Sequence, residues 1–229
     1  MSLKIQFLGH SFFKLCFSGT TVLVDPFFAS SHGSEFKRII KCPVAENSLK
    51  KADVILISHE HFDHFDPKTV ERLSKSTNAC VVAHDSILNQ LSLPRPMTHS
   101  IDTAKKINCR GLEIEAVHAH HPQSFYPMGF LISDGTRKVY HAGDTQLLDT
   151  FSQIKADVAL LPIGGSETMD CVDAVRATKT MKPEYVIPMH YNTFEGIKQD
   201  PQEFRQKIEK SILKTKPVIL APGQSFRLN

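Results

Sequence analysis

The sequence predicts an α/β (α+β) protein in which two β-sheets pack face to face and helices cover them outside. Three features of the chain lead there. Short runs rich in Val, Ile, Leu and Phe recur from end to end, separated by Gly, Pro and Asp turn signals. Several runs are continuously apolar rather than alternating, as in strands covered on both faces. Strands come first and strand–helix units follow, in two successive halves.

Each element has its own signal. Leu3 to Leu8, Phe12 to Phe17 and Thr21 to Val24 read as strands, divided by Gly9 and by Ser18-Gly19-Thr20. Residues 30 to 50 are polar and irregular and read as a loop. Asp53 to Ile57 reads as a buried strand. Asp66-Pro67 starts a helix, with Asp as N-cap and Pro in the first turn. Val81 to Ala83 is another strand, and residues 85 to 91 a weaker helix. Leu112 to Ala119, Met128 to Ser133, Lys138 to His141, Val158 to Leu161 and Tyr185 to Ile187 continue the strands. A helix fits from about Asp170 to Met181, and Gly164-Gly165 before it reads as a strand-to-helix turn. The last helix opens on the capping box Asp200-Pro201-Gln202-Glu203, and Phe204, Ile208 and Ile212 then form one apolar face.

Composition narrows the function classes. The chain has 229 residues, 41% hydrophobic and 22% charged, with a formal net charge of +3. A chain this long buries roughly 70% of its unfolded surface and needs no staples. So small a charge argues against a surface built to bind nucleic acid. No run of about 18 apolar residues exists, so no membrane span is expected. The opening Met1-Ser2-Leu3-Lys4-Ile5-Gln6 lacks the pattern of a secretory signal. Repeats, low-complexity tracts and linkers are absent, and residues 1–229 read as one domain. Cysteines stand at 16, 42, 80, 109 and 171, with no C-x-x-C spacing. A disulfide scaffold or Cys-rich zinc finger is therefore not expected, and a reducing cytoplasm is. Against five cysteines and no tryptophan stand 12 histidines.

The histidines concentrate. Ser58-His59-Glu60-His61-Phe62-Asp63-His64 follows directly on the apolar run Val54-Ile55-Leu56-Ile57. In extended chain leaving a strand, residues i and i+2 share a side, so His59 and His61 can grip one ion. Asp63 and His64 follow a turn and can face a second. Imidazole with carboxylate suits zinc, manganese, iron or nickel, and a site with open positions rather than a closed structural one. These ligands cannot complete two sites alone. Further candidates lie at other strand ends: His118, His120 and His121; Asp144 after Tyr140-His141-Ala142-Gly143; and His190 after Val186-Ile187-Pro188-Met189.

Taken together, His59-x-His61-x-Asp63-His64, a later His, Gly143-Asp144-Thr145 and His190 resemble the metallo-β-lactamase superfamily. The likeness is closest to its uncharacterised metal-dependent hydrolases related to L-ascorbate-6-phosphate lactonase-like proteins. Gly9-His10-Ser11, Val24-Asp25-Pro26, Leu161-Pro162-Ile163-Gly164-Gly165 and Ile187-Pro188-Met189-His190-Tyr191-Asn192-Thr193-Phe194 share it, so it spans nearly the whole chain. The resemblance implies a four-layer αββα sandwich with a two-metal site at one edge of the sheets. It assigns His59, His61 and a middle His to the first ion, Asp63, His64 and His190 to the second, and Asp144 as the bridge. The family usually has a small residue two before the middle ligand, which Ala119 supplies for His121. The run His118-Ala119-His120-His121 departs from the family's single His and leaves His120 as the rival.

The expected chemistry follows from the ions. A metal lowers the pKa of bound water to about 7, and two ions about 3.5–4 Å apart can share a hydroxide nucleophile. Asp63 would be catalytic as well as a ligand, aiming that hydroxide. Asp25 and His141 are candidates to fix the imidazoles, though Asp25 before Pro26 also reads as a turn residue. His10 reads equally as a substrate or proton-transfer group and as a satisfied turn histidine. His32, His84 and His99 read as surface or loop residues. The sequence thus predicts a hydrolase carrying two divalent transition-metal ions, zinc first among them, acting on a small-molecule ester, lactone or phosphodiester. A nuclease would need a basic arm that the chain lacks, and an iron-based redox protein is the other alternative on this scaffold. Oligomeric state is not legible.

Overall fold

The computed structural model describes residues 2–33 and 36–229; positions 34 and 35 of the predicted 30–50 loop lie outside the described residues. The first half supplies β1 (Leu3–Phe7), β2 (Phe13–Cys16), β3 (Thr21–Val24), β4 (Ser31–His32), β5 (Phe36–Lys37), β6 (Val54–Leu56), β7 (Cys80–Ala83) and β8 (Thr98–Ser100). The second supplies β9 (Lys106–Cys109), β10 (Leu112–His118), β11 (Met128–Ser133), β12 (Lys138–His141), β13 (Val158–Pro162), β14 (Tyr185–Met189), β15 (Lys216–Pro217) and β16 (Ser225–Leu228). Among the described residues four α-helices join them: α1 (Pro67–Thr77), α2 (Asp85–Leu88), α3 (Cys171–Met181) and α4 (Pro201–Glu209).

Two seven-stranded sheets result, ordered β16-β1-β2-β3-β6-β7-β8 and β15-β14-β13-β12-β11-β10-β9. Each is antiparallel on one side and parallel on the other. The alternation of side chains explains the layering. Val22, Val24, Val54, Leu56 and Val82 face the second sheet, while Leu23, Ile55, Val81 and Ala83 pack with Val70 and Leu73 of α1. The helices α3 and α4 pack against each other, and α3 lies on β13 in the second sheet. The order is helix, sheet, sheet, helix, as the metallo-β-lactamase likeness implies. Both faces of the parallel strands are covered, which is why their sequences lack alternation.

The cap read at Asp66 forms, the box read at 200 forms in part, and Asp170 adds a cap that was not read. Asp66 accepts from Thr69 N and starts α1, and Asp170 accepts from Asp173 N and starts α3. The capping box at 200 is half made: Asp200 accepts from Gln202 N, but the Glu203 carboxylate instead takes the Gln199 amide. The helix α4 also stops at Glu209, so Ile212 lies beyond it, fully exposed, and the apolar face consists of Phe204 and Ile208. The helix expected over 85–91 is a single turn, Asp85–Leu88. Inside the predicted 30–50 loop, β4 pairs with β5.

The topology decides where the site sits. Chain direction places the C-terminal ends of β1, β3, β6, β10, β12, β13 and β14 at one edge of the sandwich. Gly9-His10, Asp25, the His59–His64 segment, His121, Asp144, Gly164-Gly165 and His190 are the turns leaving those ends.

Candidate metal centre

At that edge the structure gathers the candidate ligands and supporting residues read from the sequence, except the exposed His118 and His120. His59, His61 and His121 each bring a ring nitrogen within 4.8 Å of the others. Beside them, His10, Asp63, His64 and His190 form a second such group. Asp144 lies between. Its Oδ2 is 3.1 Å from His190 Nε2 and 3.9 Å from both His59 Nε2 and His121 Nε2, and its Oδ1 is 3.3 Å from His64 Nε2. His121, rather than His120, is the member of the 118–121 run that enters.

The backbone pays for this convergence in unusual conformations. His10, Asp25 and His190 are buried non-glycine residues with φ of +61°, +49° and +54°. Gly143 (φ +61°) is required for a second reason: a Cβ there would lie 2.7 Å from Met128 O and 3.0 Å from Ser58 Cβ. At Gly164 a Cβ would lie 2.2 Å from His190 O. The two glycines let the turns bearing Asp144 and His190 close on their neighbours.

Supporting hydrogen bonds set the histidine tautomers. Asp25, fully buried, accepts from Ser58 N at 2.8 Å and Ser58 Oγ at 2.6 Å, and from His64 Nδ1 at 2.8 Å. With its proton committed to Asp25, Ser58 Oγ accepts from His59 Nδ1 at 2.9 Å. Nε2 of His59 is thereby left as an unprotonated lone pair, and Nε2 of both His59 and His64 turns toward Asp144. His10 Nε2 donates to Asp63 Oδ2 at 3.0 Å, and the His10 ring lies 4.1 Å from that of His190. His10 is 1% exposed and Asp63 is its polar partner, so it is a buried support for Asp63 rather than a group in substrate contact. His141, read as a candidate to fix the imidazoles, bonds backbone instead. It is fully buried, accepts from Gly143 N at Nδ1 and donates from Nε2 to Ser11 O, tying together the turns that carry His10 and Asp144.

Three useful residues escaped the sequence reading. Ser58 links Asp25 to His59; its adjacency to the motif is the one available signal. Glu60, a potential ligand by type, instead accepts from Ser124 Oγ and Phe125 N at 2.8 and 2.9 Å and anchors the loop after His121. Thr145 Oγ1 accepts from His120 N at 3.0 Å and ties that loop to the Asp144 turn.

Charge follows the geometry. Burial pushes the Asp144 carboxyl up, but His190 and His64 overcome this and hold it well below the ordinary carboxylate range. Asp63, also pushed up by burial, is held low by His64 and His10. Burial lowers His64, yet Asp144 and Asp63 raise it well above the ordinary imidazole value. Burial and His64 push His59 well down, and burial with His190 brings His10 to about 4. Hence His10 and His59 are neutral at pH 7 and ready to donate or ligate.

The donor set fits metal on its own geometry. Nε2 of His59, His64 and His190 and Oδ1 of Asp144 are buried without a hydrogen-bond partner. Such orphans cost about 1–3 kcal/mol each unless something satisfies them. Here they converge on a common space, as the ligands of a cation would. The centre forms the floor of a cleft of about 870 Å³, into which His61, Asp63, His121, Asp144 and His190 open. Phe36, Ile39, Phe62, Phe194 and Ile197 make part of its lining apolar, and Ser166, Glu167 and Thr168 line it as well.

Comparison with known proteins agrees with this architecture. Residues 4–190 match the β-lactamase superfamily domain. A UPF0173 metal-dependent hydrolase from Methanosarcina mazei is 33% identical over 240 residues, covering 99% of both chains. Its counterpart from Thermoplasma acidophilum is 39% identical over 216 residues, covering 89% of this chain and 90% of the other. Among solved structures, Igni18, a metallo hydrolase from Ignicoccus hospitalis, superposes with a TM-score of 0.87 at 31% identity, over 100% of this chain and 99% of that one. The chain belongs to the β-lactamase superfamily, in its metallo-hydrolase form. It is a metal-dependent hydrolase of the same kind as its UPF0173 relatives. No helix among the described residues is long and apolar enough to cross a membrane.

Proposed function

We propose that this hydrolase works with two divalent ions, and that its substrate is a small carboxylic ester or lactone with an apolar portion. The observation that carries the proposal is the set of orphaned imidazole and carboxylate atoms converging on Asp144 at the floor of the cleft. His59, His61 and His121 would hold one ion, Asp63, His64 and His190 the other, with Asp144 between. Zinc leads among the ions, since the ligands are imidazole and carboxylate; manganese, iron and nickel suit them too. Bound there, such ions polarise the substrate's carbonyl oxygen and lower the pKa of water.

The chain's own groups do the rest. Asp63, kept ionised and pinned by His10, accepts a hydrogen bond from the attacking water and aims it. Asp144 and Asp63 offset the positive charge of the centre. The apolar lining excludes water and takes the apolar part of the substrate. A phosphodiester fits this cleft less well. Of the two cations that line it, Lys37 is exposed to solvent, and Arg38 holds Ile40 O with Nε and Phe27 O with Nη1 and stacks on Phe27. Five free cysteines suit a reducing compartment, in keeping with a cytoplasmic enzyme.

The test joins metal analysis of the purified protein to a hydrolysis screen. Close to two transition-metal ions per chain and turnover of aryl or alkyl lactones above phosphodiesters are expected. His61→Ala should lose metal. Full metal retention in that variant sinks the ligand assignment, and preferential phosphodiester turnover sinks the substrate class.

A further inference from the structure

The other end of the sandwich holds a second reactive cluster. Cys80 opens β7, opposite Val54, and Cys109 closes β9, opposite Leu112. Both therefore sit at the strand ends away from His59 and His118. At about 3.3 Å per residue, β10 alone separates Cys109 from the histidine edge by roughly 20 Å. The two cysteines are 29 positions apart in sequence, yet their sulfurs approach to 3.1 Å. β9 is the edge strand of its sheet and β7 lies one strand in from the edge of the other. The pair thus faces across the seam where the sheets meet.

The surroundings are those of a thiolate. Arg110 Nε points at Cys80 Sγ from 3.3 Å, and Arg110 Nη2 is anchored on Asn78 O. Cys80 also lies 3.5 Å from Asp53 O, and a nitrogen of His99 comes within 4.8 Å of both sulfurs. The hydrogen bond from Cys109, opposed by burial and aided by Arg110, brings the Cys80 thiol down to about 5. The same hydrogen bond and burial push the Cys109 thiol up. One thiol is a poised nucleophile and its neighbour keeps a proton to give. A soft metal ion is a poorer occupant: a guanidinium sits on the sulfur it would need, and only one imidazole and no carboxylate join the group.

We propose that Cys80 and Cys109 are a peroxide-oxidisable dithiol, a modification site that closes into a disulfide joining the two sheets at the end remote from the metal centre. The Cys80 thiolate attacks one peroxide oxygen; the S–O bond forms, the O–O bond breaks and hydroxide leaves. The Cys109 sulfur then attacks the Cys80 sulfenic acid. The S–S bond forms, the S–O bond breaks, and water leaves carrying the Cys109 proton. The two sulfurs together lose two electrons and the peroxide gains them. The sulfurs need to approach by only about 1 Å to reach bonding distance. Both residues are 3–4% exposed, which admits a small peroxide more readily than a bulky disulfide.

The experiment treats the full-length, metal-loaded protein with hydrogen peroxide and counts free thiols after denaturation. Two of the five thiols should disappear together, with a mass loss of about 2 Da, a peptide linking Cys80 to Cys109, and reversal by dithiothreitol. Closing a loop this long should raise the melting temperature by about 5–10 °C. Arg110→Gln should slow the oxidation several-fold, and Cys109→Ser should leave Cys80 carrying added oxygen with no cross-link. Even loss across all five thiols, or a pair that stays reduced while Cys42 oxidises, overturns the proposal. So does a third bound ion per chain that protects both sulfurs, which would make the cluster a metal site. The wild-type protein alone decides among these outcomes.

Discussion

The two halves of the histidine cluster are supported differently. Around Asp63, His64 and His190 the supports are buried side chains: Asp25 and Ser58 behind His64, and His10 behind Asp63. Around His61 and His121 they are backbone carbonyls at the edge of hydrogen-bond range, Gln123 O and Glu167 O, each at 3.3 Å. A carboxylate behind an imidazole fixes its tautomer and raises its basicity more than a carbonyl does. On the two-ion proposal, the buried half should therefore hold its ion tightly, and the half on the 119–125 loop should be where an ion exchanges.

Asp144 is the one group that abolishes the contrast. Its carboxylate lies within 4 Å of ring nitrogens of His64, His190, His59 and His121. Asp144→Ala leaves four imidazoles converging on nothing, so both halves should fail, with metal content near zero and activity lost. Metal analysis on gel-filtered protein checks this. Retention of one tightly held ion would show that the halves are independent.

Asp25→Asn attacks the buried half alone. Asparagine tolerates the left-handed conformation at φ +49°, so the backbone survives while the charge goes. Metal affinity of that half should fall by about 10–100-fold, as for the loss of comparable supporting carboxylates. Competition with a chelator should show one ion leaving early and the other unaffected. His59 is the point of leakage, since Ser58 couples it to Asp25.

The halves also differed in how far the sequence revealed them. The His59–His64 segment was legible because its ligands are spaced for a strand end, and Asp66 was legible as a cap because Asp before Pro is a local signal. Ser58 and Glu60 were not. Their partners lie 33 and 64–65 residues away, so their role exists only once the chain is folded. Asp25 was ambiguous for the same reason, since Asp before Pro is equally a turn. In the fold, the buried strands were plain from apolar runs, while β8 and β9 went unread. Both are edge strands, and Thr98-His99-Ser100 and Lys106-Ile107-Asn108-Cys109 carry the polar residues that edges favour. Ile212 misled because its spacing continued the α4 face past the residue where the helix ends.

Glu60→Gln tests the other half. It removes the charge that holds Ser124 and Phe125 and so loosens the loop after His121 without touching a ligand. The affinity for the exchangeable ion should drop by no more than about tenfold, with the tight ion retained and the melting temperature nearly unchanged. A change in the tight ion instead would mean that the loop supports both halves.

The smallest effect should come from His120→Ala, and it is informative for that reason. His120 is adjacent to His121 and shares its chemistry, but its side chain is exposed and its backbone makes the contacts, N–H donating to Thr145 Oγ1 and C=O accepting from Gln146 N. Alanine keeps that N–H. Metal stoichiometry, both affinities and turnover should match the parent protein, while His121→Ala should lose the exchangeable ion. If instead His120→Ala loses that ion and His121→Ala keeps it, the loop rearranges on binding metal, and the looser half is the mobile one.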